Sequence, residues 1–307
     1  MEAIPIAFTD SRLRHPIDFT TLPRMEKTLS ASARRGGIVF PIAILCLLFS
    51  GMAGLIYQVI WTRYLALLTG HASYAIVAVL VAFMGGLALG NAWLGRVADK
   101  LQRPLAFYGW LEIIIGVYAL AFPLIFDTAY GVYVSAAKGA AIGSTSLFVM
   151  KFLVALITLI IPTVLMGGTL PVLVRIVTRS LGELQNRVST LYFINSLGAV
   201  VGVGVAEFWL IPDTGLPGAL TYGATINIAV GALSLFISGY ICEETRRPPV
   251  KNEGKASTDE TFTLPEIRMA IIGIGISGFV AMLYEIAWTR LLGLSMGSTS
   301  HAFAIML

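Results

Sequence analysis

Three carboxylates interrupt stretches that are otherwise apolar enough to sit in a bilayer: Glu112, Glu207 and Glu285. An acid at membrane depth is costly, and such groups usually face a cavity or a basic partner, so proton coupling and cation binding are the roles they suggest. Glu112 is the deepest of the three. Lys151, on the next helix, either pairs with Glu112 or snorkels from its place nearer the outer end. Glu207 lies close enough to the outer end to be simply solvated. A second constellation is the element Y-x-x-x-W-T-R, found at Tyr57, Trp61 and Arg63 and again at Tyr284, Trp288 and Arg290. Tyr and Trp four apart share one helix face. That pattern fits an aromatic belt with a snorkelling Arg, and equally a paired polar lining between two halves, in which Glu285 stands where the first copy has Gln58. Chemistry of the soluble kind is missing. There is no phosphate-binding glycine loop after a strand and no cluster of His with carboxylates, and His71 and His301 read as isolated outer residues. Neither a catalytic residue, a metal site nor a cofactor is expected.

The elements that must position these groups are membrane spans. Of 307 residues, 57% are hydrophobic and 12% charged, against about 45–50% and about 25% in soluble domains. Runs free of Asp, Glu, Lys and Arg extend from Gly36 to Thr62, Tyr64 to Gly95, Phe152 to Val174 and Thr214 to Cys242. Each can hold the about 20 residues that a span needs. Pro104 to Phe126, Val188 to Pro212 and Met269 to Ala287 qualify with one acid each, giving about seven helices and an eighth opening at Thr299. The implied organisation is a cytoplasmic tail over 1–36, a first six-helix unit over 37–242, a cytoplasmic linker over 243–266 and the start of a second unit over 267–307. Cys46 and Cys242 suggest neither a disulfide nor a metal site.

The net charge of +4 invites a nucleic-acid reading, but its distribution argues otherwise. Six basic residues fall in the tail, three in the Arg96–Arg103 loop, three in Arg175–Arg187 and five in Arg246–Arg268. With the N-terminus in the cytoplasm all four groups lie on one side, leaving Arg63, Lys138, Lys151 and Arg290 on the other. Basic residues are retained inside during insertion, so the positive charge is a topology signal. A multi-pass protein of a bacterial inner membrane is expected, with the lipid bilayer as its solvent and no nucleic acid as partner.

Residues 50–80 align without a gap on residues 277–307, with twelve identities, eight of them Ser, Gly, Tyr, Trp, Thr or Arg. The offset of 227 residues encloses six spans, an even number, so both copies run in one direction. That is a parallel repeat of six-helix units, as between the halves of major-facilitator transporters. The second copy reaches Leu307 within its second helix, so a longer natural protein is expected, or membrane partners that cover the incomplete unit. Small residues at Gly86 and Gly90, at Gly198 and Gly202, and at Gly167 and Gly168 mark close helix packing. Pro162 and Pro171 predict a break or bend in the fourth span. After the second span, Gly95, Asp99, Lys100 and Arg103 resemble the loop that couples gate states in major-facilitator transporters, with Gln102 in place of the usual Gly. An ordinary basic cytoplasmic loop fits the same residues.

Three stretches carry a closer resemblance: SGMAGLIYQVIWTR with its copy SGFVAMLYEIAWTR, PTVLMGGTLPVLVR, and YFINSLGAVVGVGVAEFWLIPDTGL. From about Gly37 onwards the chain resembles the membrane region of bacterial fused major-facilitator/spermidine synthases. The resemblance implies an all-α, transporter-like membrane region placed before a Rossmann-type aminopropyltransferase domain. That domain would lie beyond Leu307, so no catalytic residue is carried over. The expected function is transporter-like, with polyamines or other organic cations suited to Glu112, Glu207 and Glu285. The alternative is a non-catalytic helical subunit or scaffold within a larger membrane complex.

Overall fold

Hydrocarbon offers no partner to a backbone N–H or C=O, so long apolar runs satisfy these groups internally by coiling into helices. The computed structural model describes residues 22–70, 72–138, 145–177, 181–241, 263–297 and 299–307. Among them are α1 (Leu22–Thr69), α2 (Ala72–Ala98), α3 (Pro104–Ala137), α4 (Thr145–Val177), α5 (Leu181–Val205), α6 (Ile211–Ile241), α7 (Leu264–Met296) and α8 (Thr299–Met306). A π-helical turn, Ala206–Leu210, joins α5 to α6. Among the described residues six helical segments are long and apolar enough to cross a membrane, and no strand occurs. The protein is a multi-pass helical membrane protein.

Two compact units divide the chain, Met1–Ile38 and Val39–Leu307. In the first, the backbone is helical from Leu22, although the sequence reads as a polar tail. Its Leu, Met, Ala, Lys and Arg residues are strong helix formers, and Pro23 sits in the first turn, where its missing N–H costs nothing. Helix propensity, rather than hydropathy, sets this boundary. Most of the linker over 243–266 lies outside the described residues.

Within the second unit, one apolar segment, Gln185–Gly239, is 55 residues long, about 80 Å at 1.5 Å per residue and far more than one bilayer core. Gly215 divides it, with φ 69° and ψ −177°, a conformation open essentially to glycine. Packing on α1 shows that the chain reverses there. A β-carbon at Gly198 would strike the Leu48 carbonyl and one at Gly202 that of Met52, so α5 runs parallel to α1. On α6, Gly223 faces Tyr57 while Ser234 faces Cys46, so α6 runs antiparallel to it. The segment is two spans, as the charge-free runs suggest.

Glycine decides the other close approaches as well. Gly86 meets Thr163, Gly90 meets Val164 and Gly167 meets Leu87, placing α2 parallel to α4 at backbone contact. Between α3 and α6, a β-carbon on Gly109 would lie 2.8 Å from the Gly231 carbonyl oxygen and one on Gly116 2.9 Å from that of Ala224. With lipid as apolar as leucine, such backbone approach is what drives helices together.

The expected break in the fourth span does not occur, and α4 continues through Pro162 and Pro171. Pro162 cannot donate to the carbonyl of Thr158, four residues back. The Tyr118 hydroxyl of α3 donates to that oxygen instead, at 2.7 Å, so the helix survives its proline because a neighbour replaces the lost bond.

At the centre of the core lies Trp61, stacked on Tyr57 (5.3 Å) and packed against Phe122 (5.3 Å). The second copy of this element stands apart. Thr263 and Glu266 cap α7 reciprocally, and α8 docks Phe303 against Ile76 and Leu80 of α2. Most of α7 is exposed along its length, from Ile271 to Leu294.

Candidate functional site

Glu112 stands two turns into α3, about 12 Å along the axis from Pro104, and is 0% exposed. α1 and α6 supply its partners. The Ser50 hydroxyl donates to Oε1 at 2.6 Å, and the Asn227 amide donates to Oε2 at 2.9 Å. Tyr108, one turn before Glu112 on the same face, and Tyr57 of α1 sit within electrostatic reach of the carboxylate. Tyr108 lies beside it without hydrogen-bond geometry. Both tyrosine hydroxyls and the Asn227 Oδ1 are buried with no hydrogen-bond partner. Cys46, at 3.7 Å from the Ser234 hydroxyl, closes the cluster on the α6 side. Among the described residues no basic side chain comes within ion-pair distance of Glu112. Hydrogen bonds orient the carboxylate, and neutralising it requires a proton or a cation.

Lys151 is not that partner. It belongs to the second turn of α4, at the opposite end of the bundle, about 28 Å from the level of Glu112. There Nζ donates to the Thr69 carbonyl at 3.2 Å and lies over the Tyr133 ring.

Glu207 is not solvated. The π-helical turn inserts one extra residue into the helix and turns this side chain inward, leaving Phe208 and Trp209 exposed. Its Oε1 pairs with Arg63 at 2.6 Å and lies 3.8 Å from His301 Nδ1 of α8. Arg63 is therefore an ion-pair partner rather than a free interface anchor, and His301 is not isolated. His71 lies outside the described residues.

Glu285 is half-buried on α7, and its Oε1 has no hydrogen-bond partner. The three acids thus occupy three separate environments and form no common site. The repeated element is divided in the same way, with Tyr57 and Trp61 inside the core while Tyr284, Trp288 and Arg290 are exposed. No lining shared between the two copies forms from these residues. At the end of α2, Gly95 packs on Pro171, Asp99 and Lys100 form a turn, and Arg103 precedes α3 without a side-chain cap. The three charged side chains of this loop are exposed, and none forms an ion pair among the described residues.

Compared with protein-family models, curated proteins and solved structures, the chain finds no match. Among the described residues no group of His, Cys, Asp and Glu could hold a metal ion.

Sequence reading found Glu112 but not its neighbours. Tyr108 was legible as an i, i+4 partner and Ser50 belongs to the repeat. Asn227 carried a signal too, as an amide in a charge-free span, where a polar side chain must find a partner.

Proposed function

We propose that the chain is the transporter-like membrane region of a spermidine synthase-type fusion in a bacterial inner membrane, handling a polyamine or another organic cation. The observation that carries the cation reading is Glu112, a fully buried carboxylate held by Ser50 and Asn227 with no ion-pair partner among the described residues. A carboxylate so placed compensates the desolvation of a cation better than any neutral group. The family reading rests on the sequence stretches quoted above. An N-terminus in the cytoplasm is supported by the alternation of the helices, which gathers Arg96, Lys100, Arg103, Arg175 and Arg187 at one end of the bundle.

The test is uptake of radiolabelled spermidine into proteoliposomes. Glu112→Gln, purified as a folded protein, is expected to lose uptake at least tenfold. Uptake unchanged in that variant overturns the reading.

One observation favours a second reading, a helical subunit of a larger complex. The exposed length of α7 presents Gly278, Tyr284 and Trp288, whose counterparts in α1 are helix-packing residues. Extraction in mild detergent separates the two, since a subunit brings stoichiometric membrane partners and a transporter purifies alone.

A further inference from the structure

We propose that the polar cluster around Glu112 is a binding site for a compact monovalent metal cation, Na+ in the first instance, held by side-chain oxygens of α1, α3 and α6. This rests on the reading above in one respect, that the unit handles cations, and it narrows that reading to the ion which the immediate neighbours fit.

The candidate ligands next to Glu112 are oxygens, an amide carbonyl and hydroxyls beside the carboxylate itself. Ser50 and Asn227 each give one hydrogen to the carboxylate. Two further oxygens are buried with no hydrogen-bond partner, Asn227 Oδ1 and Tyr57 Oη, and the Tyr108 hydroxyl lies against Glu112 and Ser50 without a well-formed bond to either. Unpaired buried oxygens of this kind are expensive. A proton on Glu112 would answer one acceptor. A hard cation collects several oxygen ligands at once, carboxylate, amide and hydroxyl together.

Charge and space narrow the class further. A single carboxylate balances one positive charge, and a divalent ion would leave a net charge in hydrocarbon. Two cationic side chains within the spans are committed elsewhere, Arg63 to Glu207 and Lys151 to the Thr69 carbonyl. Gly109 against Gly231, and Gly116 against Ala224, close the α3–α6 side of Glu112 even to a β-carbon. A bare ion needs only the side-chain oxygens already present. Trp61, stacked on Tyr57 at 5.3 Å, is a built-in reporter of any change at the Tyr57 hydroxyl.

The experiment is equilibrium binding of radioactive Na+ to the purified full chain in salt-poor, sucrose-balanced detergent buffer, with tryptophan fluorescence followed in parallel. Saturable binding is expected, weakened at least tenfold by Glu112→Gln and several-fold by Tyr57→Phe, a milder change that removes one oxygen and keeps the ring stack. No saturable Na+ binding overturns the proposal, as does binding unchanged in both variants or equal affinity for K+. Spermidine uptake that is lost in Glu112→Gln yet indifferent to Na+ would overturn this inference and leave the proposed function standing. Na+ binding in a protein that takes up no organic cation would do the reverse.

Discussion

Residues 50–80 and 277–307 are the same element in two surroundings. The backbone treats them alike. α1 ends at Thr69 and α7 at Met296, each is followed by a left-handed glycine (Gly70, φ 74°; Gly297, φ 70°), and the next helix opens at Ala72 or Thr299. Even the Thr hydroxyl bonds agree, Thr62 to the Gln58 carbonyl and Thr289 to that of Glu285, both at 2.7 Å. Burial does not agree. Tyr57 and Trp61 are 0% exposed, whereas Tyr284 and Trp288 are 61% and 55% exposed. A β-carbon at Gly51 would strike the Asn195 backbone, whereas one at Gly278 would meet open space. Spacing and capping residues carry the local geometry within the element. The core exists only where α3, α5 and α6 supply the opposite wall.

Paired substitutions break or sharpen this contrast. Trp61→Ala is expected to cost about 3–5 kcal/mol through the cavity it opens, while Trp288→Ala stays within about 0.5 kcal/mol, both read by unfolding in detergent. Equal costs would mean that Trp288 is packed in the membrane, and the contrast would fall. Arg63→Ala strips the buried Glu207 of its ion pair and should cost about 1.5–3 kcal/mol, whereas Arg290→Ala should leave the unfolding midpoint where it is. Gly51→Ala pushes α1 off α5 for about 1–3 kcal/mol. Gly278→Ala should stabilise α7 by up to about 1 kcal/mol through helix propensity alone. The smallest effects should be equal: Thr62→Val and Thr289→Val each remove one intrahelical bond, at about 0.5 kcal/mol apiece. Different costs there would show that the shared geometry is less local than it looks.

What could be read from the residues follows the range of the forces involved. Apolar runs located the spans because hydrophobic length is a property of consecutive residues, and the reversal at Gly215 falls at the start of the run that opens at Thr214. The glycine pairs marked close approach correctly because a missing side chain is visible without its partner. Partners themselves were harder to read. Lys151 and Glu112 look like neighbours on adjacent helices until the antiparallel run of α3 and α4 sets them at opposite ends. Glu207 looked solvated because a π-helical turn has no signature as plain as glycine or proline. Pro162 predicted a break or bend for a sound local reason, and the helix stays unbroken because a hydroxyl forty residues before Thr158 takes the freed carbonyl.

That hydroxyl also constrains the order in which the molecule is built. Until Tyr118 lies alongside, α4 carries a bare carbonyl at Thr158, deep in its own length. A span with such a defect is poorly suited to leave the insertion machinery alone. The third and fourth helices are therefore best released into the lipid as a hairpin, the earlier one held back as an escort for the later. The tyrosine that mends a proline in the finished bundle thereby ties the integrity of α4 to the presence of α3.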